Sequence, residues 1–132
     1  MATRLITWWH ELNTAKPDEA MAFYAAALGW SFEGLTLPDG APYWIGRQNG
    51  RPVAGVYRLD AAHADVPAHW MTYMAVPDMP RAERDAISAG GAVVRRAVTL
   101  EGIGTLCVVT DPAGAMIGLI EAAPGHALAE AA

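Results

Sequence analysis

A chain of 132 residues that is 53% hydrophobic and only 17% charged has the length and apolar content of one compact domain, not of a disordered segment. Its net charge of −5, with no cluster of Lys or Arg, argues against a nucleic-acid partner, because phosphate recognition needs concentrated positive charge. One cysteine, Cys107, rules out an intrachain disulfide and fits a reducing cytoplasm, and without a basic leader or long apolar run neither a signal peptide nor a membrane span is expected.

The first strand is predicted from about Leu5 to Asn13. A helix follows with Pro17 in its first turn, where a missing N–H is harmless, and with Asp18 and Glu19 at the positive end of its dipole. Met21, Tyr24, Ala25 and Leu28 recur at helical spacing and are expected to face a sheet, and Gly29 supplies the left-handed stop. Strands are then predicted over 30–35, 43–48 and 52–59, divided by a turn at Leu37-Pro38-Asp39-Gly40 and by the hairpin signal Asn49-Gly50. A polar linker spans 60–68. The second half begins with a strand from His69 to Val76, then a helix with Asp78 as N-cap and Gly90-Gly91 as its stop. Strands over 92–98, 103–110 and 116–122 complete the pattern, with a turn at Asp111-Pro112-Ala113-Gly114. The Ala-rich tail over 122–132 is expected to pack loosely.

The order strand, helix, three strands thus occurs twice. Met71 lies 62 residues after Trp9, and Gly90 lies 61 after Gly29. A repeat of this kind predicts an α+β fold of two βαβββ modules, 5–60 and 69–121, within one domain. A helix covers the outer face of each module's sheet, and the inner faces are left to curl into a cup.

Three segments carry a resemblance to a known family. Ala22-Phe23-Tyr24 through Leu28-Gly29-Trp30 is similar to its "FY…LGW", and Ala75-Val76-Pro77-Asp78 precedes Gly90-Gly91 as in its members. Val108-Val109-Thr110-Asp111-Pro112-Ala113-Gly114 is similar to its "DPxG". On these motifs, whose order spans residues 5–121, the chain resembles the vicinal oxygen chelate superfamily of glyoxalases, extradiol dioxygenases and bleomycin or fosfomycin resistance proteins. The Trp-His-Glu-Leu start and Pro52-Val53-Ala54-Gly55 look most like a glyoxalase-like bacterial subgroup. The resemblance implies a curved mixed sheet forming a cup and association into a homodimer, for which Trp44 is an exposed candidate.

In the metal-dependent members each module gives one ligand from its first strand and one from its last. Carried over residue by residue, these positions fall near Trp9, Gly55, Met71 and Gly118. None offers a side chain suited to a hard divalent ion, so no metal and no cofactor is expected. A site built from His10, His69 and Glu121 would require three departures at once: His10 is one residue past Trp9, His69 keeps the parity of Met71 but sits two residues before it, and Glu121 is three past Gly118.

Strand parity selects what lines the cup instead. Trp9, Glu11 and Asn13 share one face of the first strand, Met71 and Tyr73 the matching face of its counterpart, and Tyr57 and Ile120 those of the two last strands. His69 lies at the rim. An apolar wall around one carboxylate has the composition of a small-molecule site, with Glu11 as general base or anchor and Trp9, Asn13, Tyr57, His69, Met71, Tyr73 and Ile120 as ligand contacts. The opposed reading makes Glu11 a structural carboxylate paired with Arg47, Arg58 or Asn13. Trp8-Trp9 reads as a stacking wall or as core on both sheet faces, and Cys107 as a buried thiol.

Two functions of different kind follow. One is a metal-free, cytoplasmic small-molecule-binding protein, of sequestering or resistance type, taking an apolar or cationic ligand. The other is a glyoxalase-like lyase or isomerase, or a dioxygenase, with Glu11 as base and with or without a metal. An interaction module with a vestigial pocket is the third reading.

Overall fold

The structure, a computed structural model, describes residues 7–63 and 65–124, with side chains from Trp9 onward. Two compact units meet in the chain at Met71 and Thr72. Leu5 at the expected start of the first strand, and the tail beyond Pro124, lie outside the described residues.

The first unit, Trp9–Met71, contains β1 (Thr7–Thr14, its first two residues belonging to the second unit), α1 (Pro17–Leu28), β2 (Ser31–Thr36), β3 (Pro42–Gln48) and β4 (Arg51–Arg58). Its strand order is β2-β3-β4-β1, with β1 parallel to β4 and the other pairs antiparallel. The hairpin between β3 and β4 turns on Asn49 (φ 53°) and Gly50 (φ 79°), two successive left-handed residues that match the twist of the strands they join. Gly29 ends α1 at φ 75° and donates its N–H to the Ala25 carbonyl at 3.0 Å.

One irregularity in this hairpin decides which side chains meet. Arg47 faces Pro52 but Gly46 faces Ala54, so Val53 has no opposite number and forms a bulge. From there the register places Ile45 opposite Gly55 and Tyr43 opposite Tyr57. Since β1 sets Glu11 beside Gly55 and Asn13 beside Tyr57, one sheet face carries Glu11, Asn13, Tyr43, Ile45 and Tyr57 together. The other face carries Leu12, Trp44, Ala54 and Val56, toward the helix.

Helix α1 departs from expectation. Met21 and Tyr24 are half-buried, but Ala25 and Leu28 are exposed, and Pro17 is the helix's one buried residue. Trp44, expected to be exposed, is half-buried; among the described residues Trp70 and Phe23 are the exposed aromatics instead.

The second unit contains β5 (His69–Ala75, its first residues belonging to the first unit), α2 (Met79–Ser88), β6 (Ala92–Leu100), β7 (Gly104–Thr110) and β8 (Met116–Ala122). Its order is β5-β8-β7-β6, again with the first and last strands of the module parallel. Asp78 caps α2 by accepting from the Arg81 N–H at 3.0 Å, and Glu121 Oε1 accepts from the Met79 N–H at 2.7 Å. Beneath α2 lies a cluster of Met79, Cys107 and Val109, joined by Val76, Ala86, Val93, Ile117 and Leu119. The opposite face buries Tyr73, Leu106, Val108 and Ile120. The fold is thus α+β, two βαβββ units of like topology. No helix among the described residues is long and apolar enough to cross a membrane.

Candidate ligand site

Strand β1 brings Trp9, Glu11 and Asn13 to one face of the first unit, and all three are buried, Glu11 completely. A carboxylate without water needs donors supplied by the protein. Tyr43 provides one: its hydroxyl donates to Glu11 Oε2 at 2.8 Å. Asn13 Nδ2 approaches Glu11 Oε1 at 3.3 Å and the Glu11 carbonyl at 3.4 Å. The Trp9 indole N–H in turn donates to the Tyr43 oxygen at 3.3 Å. The phenol spends its single proton on the carboxylate and receives another from Trp9, a chain of polarised hydrogen bonds ending on Glu11.

Of the partners proposed for Glu11 from sequence, Asn13 is present. Arg47 instead meets Glu33 at 2.9 Å on the surface. The sequence does not point to Tyr43, because an unbroken two-residue hairpin at Asn49-Gly50 puts it on the opposite sheet face. The bulge at Val53 shifts the register by one and turns the ring inward. Tyr57 lies half-buried between Asn13 and Tyr43 in register.

The glycine beside Glu11 explains the space the ring occupies. A Cβ on Gly55 would run into the hydroxyl end of Tyr43. The second unit repeats the device with other residues. Gly118 pairs with Tyr73 across β8 and β5, and a Cβ on Gly118 would land on the Tyr73 ring. There the phenol oxygen accepts from Arg95 Nη2 at 2.8 Å. Gly55 and Gly118 thus each have a tyrosine ring packed where a side chain would stand.

The remaining expected contacts sit as follows. Met71, Tyr73 and Ile120 are buried, and the Ile120 carbonyl accepts from the Val76 N–H at 2.8 Å. His69 is half-buried, its Nδ1 donating to the Pro67 carbonyl at 3.0 Å. His10 is exposed and has the opposite strand parity to Glu11, while Glu121 spends a carboxylate oxygen on the α2 N-terminus. His63 meets Asp60 at 2.7 Å on the surface. Among the described residues no three of His, Cys, Asp and Glu group together as metal ligands. Burial, reinforced by the negative charge of Glu83, pushes the Cys107 thiol up to about 11, so it is a core group and not a nucleophile.

Duplicated βαβββ units are the architecture of the vicinal oxygen chelate superfamily. Within it, the chain belongs to the glyoxalase-like domain family, whose profile matches residues 4–120. Among curated proteins it is 33% identical over 116 residues to CFP32 of Mycobacterium tuberculosis, which by name is placed provisionally among the glyoxylases. It is 27% identical over 119 residues to the anthracycline biosynthesis protein DnrV of Streptomyces peucetius. These matches cover 88% and 81% of this chain but 44% and 43% of the relatives, so the chain spans less than half their length. Among solved structures, methylmalonyl-CoA epimerase of Mycobacterium tuberculosis has the same fold, with a TM-score of 0.66 at 20% identity over 94% of this chain and 93% of that one. A methylmalonyl-CoA epimerase bound to methylmalonyl-CoA and NH4+ gives 0.67 at 13% identity, over 92% and 97%.

Proposed function

We propose that this chain binds a small organic ligand through the Glu11 face of its first unit, and does so without a divalent metal. The observation that carries the reading is the pairing of Gly55 with the ring of Tyr43, whose hydroxyl holds the Glu11 carboxylate at 2.8 Å. A ligand-bearing side chain at Gly55 would have to displace that ring, and one at Gly118 would have to displace Tyr73. Trp9 and Met71, at the other two positions, bring an indole and a thioether, neither a ligand for a hard cation. None of these four side chains is suited to a hard divalent ion.

What remains is a carboxylate among aromatic side chains. Such a setting favours an apolar or cationic ligand, with a π-face on the half-buried Tyr57 and any positive charge toward Glu11. Relatives named for anthracycline biosynthesis fit a small-molecule role. The test is a calorimetric titration of the chelator-treated protein with Zn2+, Ni2+, Mn2+ and Mg2+, beside a thermal-shift screen of aromatic and quaternary-ammonium compounds. The expected result is no stoichiometric metal and at least one compound whose binding Glu11→Gln weakens by tenfold or more. One metal bound per chain overturns the reading.

A second reading rests on the same hydrogen bond. A carboxylate and a phenol 2.8 Å apart are an acid–base pair, and a family of glyoxalase-like proteins makes proton abstraction next to a carbonyl the reaction to look for. Glu11 would take the carbon-bound proton, and Tyr43 would hold the carboxylate in place. Turnover lost in Glu11→Gln with ligand affinity retained selects this reading over simple binding.

A further inference from the structure

Helix α2 covers only part of the sheet beneath it. Met74, Leu119 and Cys107 are neighbours in register across β5, β8 and β7, on the face that carries α2. Burial falls off along that row: Cys107 is fully buried, Leu119 half-buried and Met74 38% exposed. Beside the helix lies a cavity of about 750 Å³, within the range of small-molecule sites. Val76, Val109 and Leu119 form its apolar floor, and Ala82 and Ala86, one turn apart on α2, form its wall. Two methyl side chains leave open what larger ones would fill.

The helix does not settle into this gap, because both of its ends are tied. Glu121 Oε1 accepts from the Met79 N–H at 2.7 Å. At the other end the Gly91 N–H donates to the Ala86 carbonyl at 2.9 Å. Gly91 also lies so close to the Thr110 carbonyl that a Cβ there would collide with it.

Charge is confined to the helix side of the cavity, where Asp78, Arg81 and Asp85 line it. The amide donors of the first turn are already engaged: Met79 with Glu121, Arg81 with Asp78 Oδ1 and Ala82 with the Asp78 carbonyl, while Pro80 has none. The helix N-terminus therefore offers nothing to an anion. Arg81 reaches Asp85 at 3.9 Å with both side chains largely exposed, a contact that contributes little in water and is readily exchanged. Two carboxylates face one guanidinium, so the rim is net negative.

We propose that this cavity is a second small-molecule site, on the other unit from Glu11, and that it takes an amine carried on an apolar body. The body lies on Val76, Val109 and Leu119, and the ammonium group reaches the carboxylates of Asp78 and Asp85. The aliphatic floor sets the need for an apolar body, and the sign of the rim selects the amine over the acid of the same shape.

Amide NMR shifts of the 132-residue chain, titrated in turn with phenylbutylamine, phenylbutanoic acid and phenylbutanol, test the proposal. The probes share one body and differ in charge. The amine is expected to move the Ala82, Ala86, Val109 and Leu119 amides and to bind about fivefold more tightly than the acid, the contribution of one exposed ion pair. Ala82→Leu places a good helix former in the cavity and should abolish these shifts. Asp85→Lys, at an exposed position, should remove the preference for the amine while the neutral alcohol still binds. Both variants should keep the circular dichroism of the parent. Glu11→Gln should leave the shifts unchanged, which separates this site from the one proposed on the first unit. The absence of shifts at these amides overturns the proposal. So does an acid that binds as tightly as the amine, binding that survives Ala82→Leu, or shifts that vanish in Glu11→Gln.

Discussion

Tyr43 is the residue on which the first unit's inner face turns. It fills the space over Gly55, donates to Glu11 at 2.8 Å and accepts from Trp9 at 3.3 Å. Tyr43→Phe keeps the ring and removes the donor to a buried carboxylate. A hydrogen bond to a charged group contributes about 1.5–3 kcal/mol, so chemical denaturation should show a loss of that size. Gly55→Ala acts from the other side, because its methyl meets the phenol. It should cost as much or more, and combining it with Tyr43→Ala should restore part of the loss, which a double-mutant cycle measures. Cys107 gives a third expectation. With its thiol raised to about 11 by burial, it stays protonated at pH 8, and a thiol-labelling reagent should react only as fast as the protein unfolds. The sign of its pH dependence follows. The unfolded thiol ionises near its ordinary value of 9.0 and the folded one near 11. Stability due to the neutral thiol is therefore complete below pH 9 and declines toward pH 11, by at most ~1.4 kcal/mol per pH unit, relative to a Cys107→Val variant.

At the scale of elements, the two helices are fixed by different means. Helix α2 is held by side chains at its N-terminus: Asp78 on the Arg81 N–H and Glu121 on the Met79 N–H. Asp78→Ala should cost about 1 kcal/mol, and Glu121→Gln, which keeps an acceptor but loses its charge at the helix dipole, somewhat less. Helix α1 has Pro17 at its start, no side-chain cap from Lys16, and Gly29 at its end. The ends of both helices and the Asn49-Gly50 turn were legible because each depends on a local rule: a fixed proline φ, a short acidic side chain, or two left-handed residues. The Val53 bulge follows no such rule, and with it went the inward turn of Tyr43. The exposure of Ala25 and Leu28 was equally hidden, since helical spacing marks an apolar face without saying what covers it.

At the scale of the whole chain, the repeat carried most of the information. Parity within the first strand of each module put Glu11 and Tyr73 at matching positions, and the structure pairs them with Gly55 and Gly118 respectively. The equivalence is one of backbone, not of chemistry. The first unit sets a carboxylate beside its glycine and borrows a tyrosine from β3, whereas the second sets the tyrosine there directly and ties it to Arg95. Position along a repeat tells which residues occupy matching places, but the side chain that packs against them comes from strands the repeat does not predict.

The most direct test of the account is a thermal titration with apolar and quaternary-ammonium compounds in the presence of a chelator, run on the wild type and on Glu11→Gln. The account predicts a compound that raises the melting temperature of the wild type and not of the variant. Binding that appears only when a divalent metal is supplied, or that ignores Glu11→Gln, would contradict it.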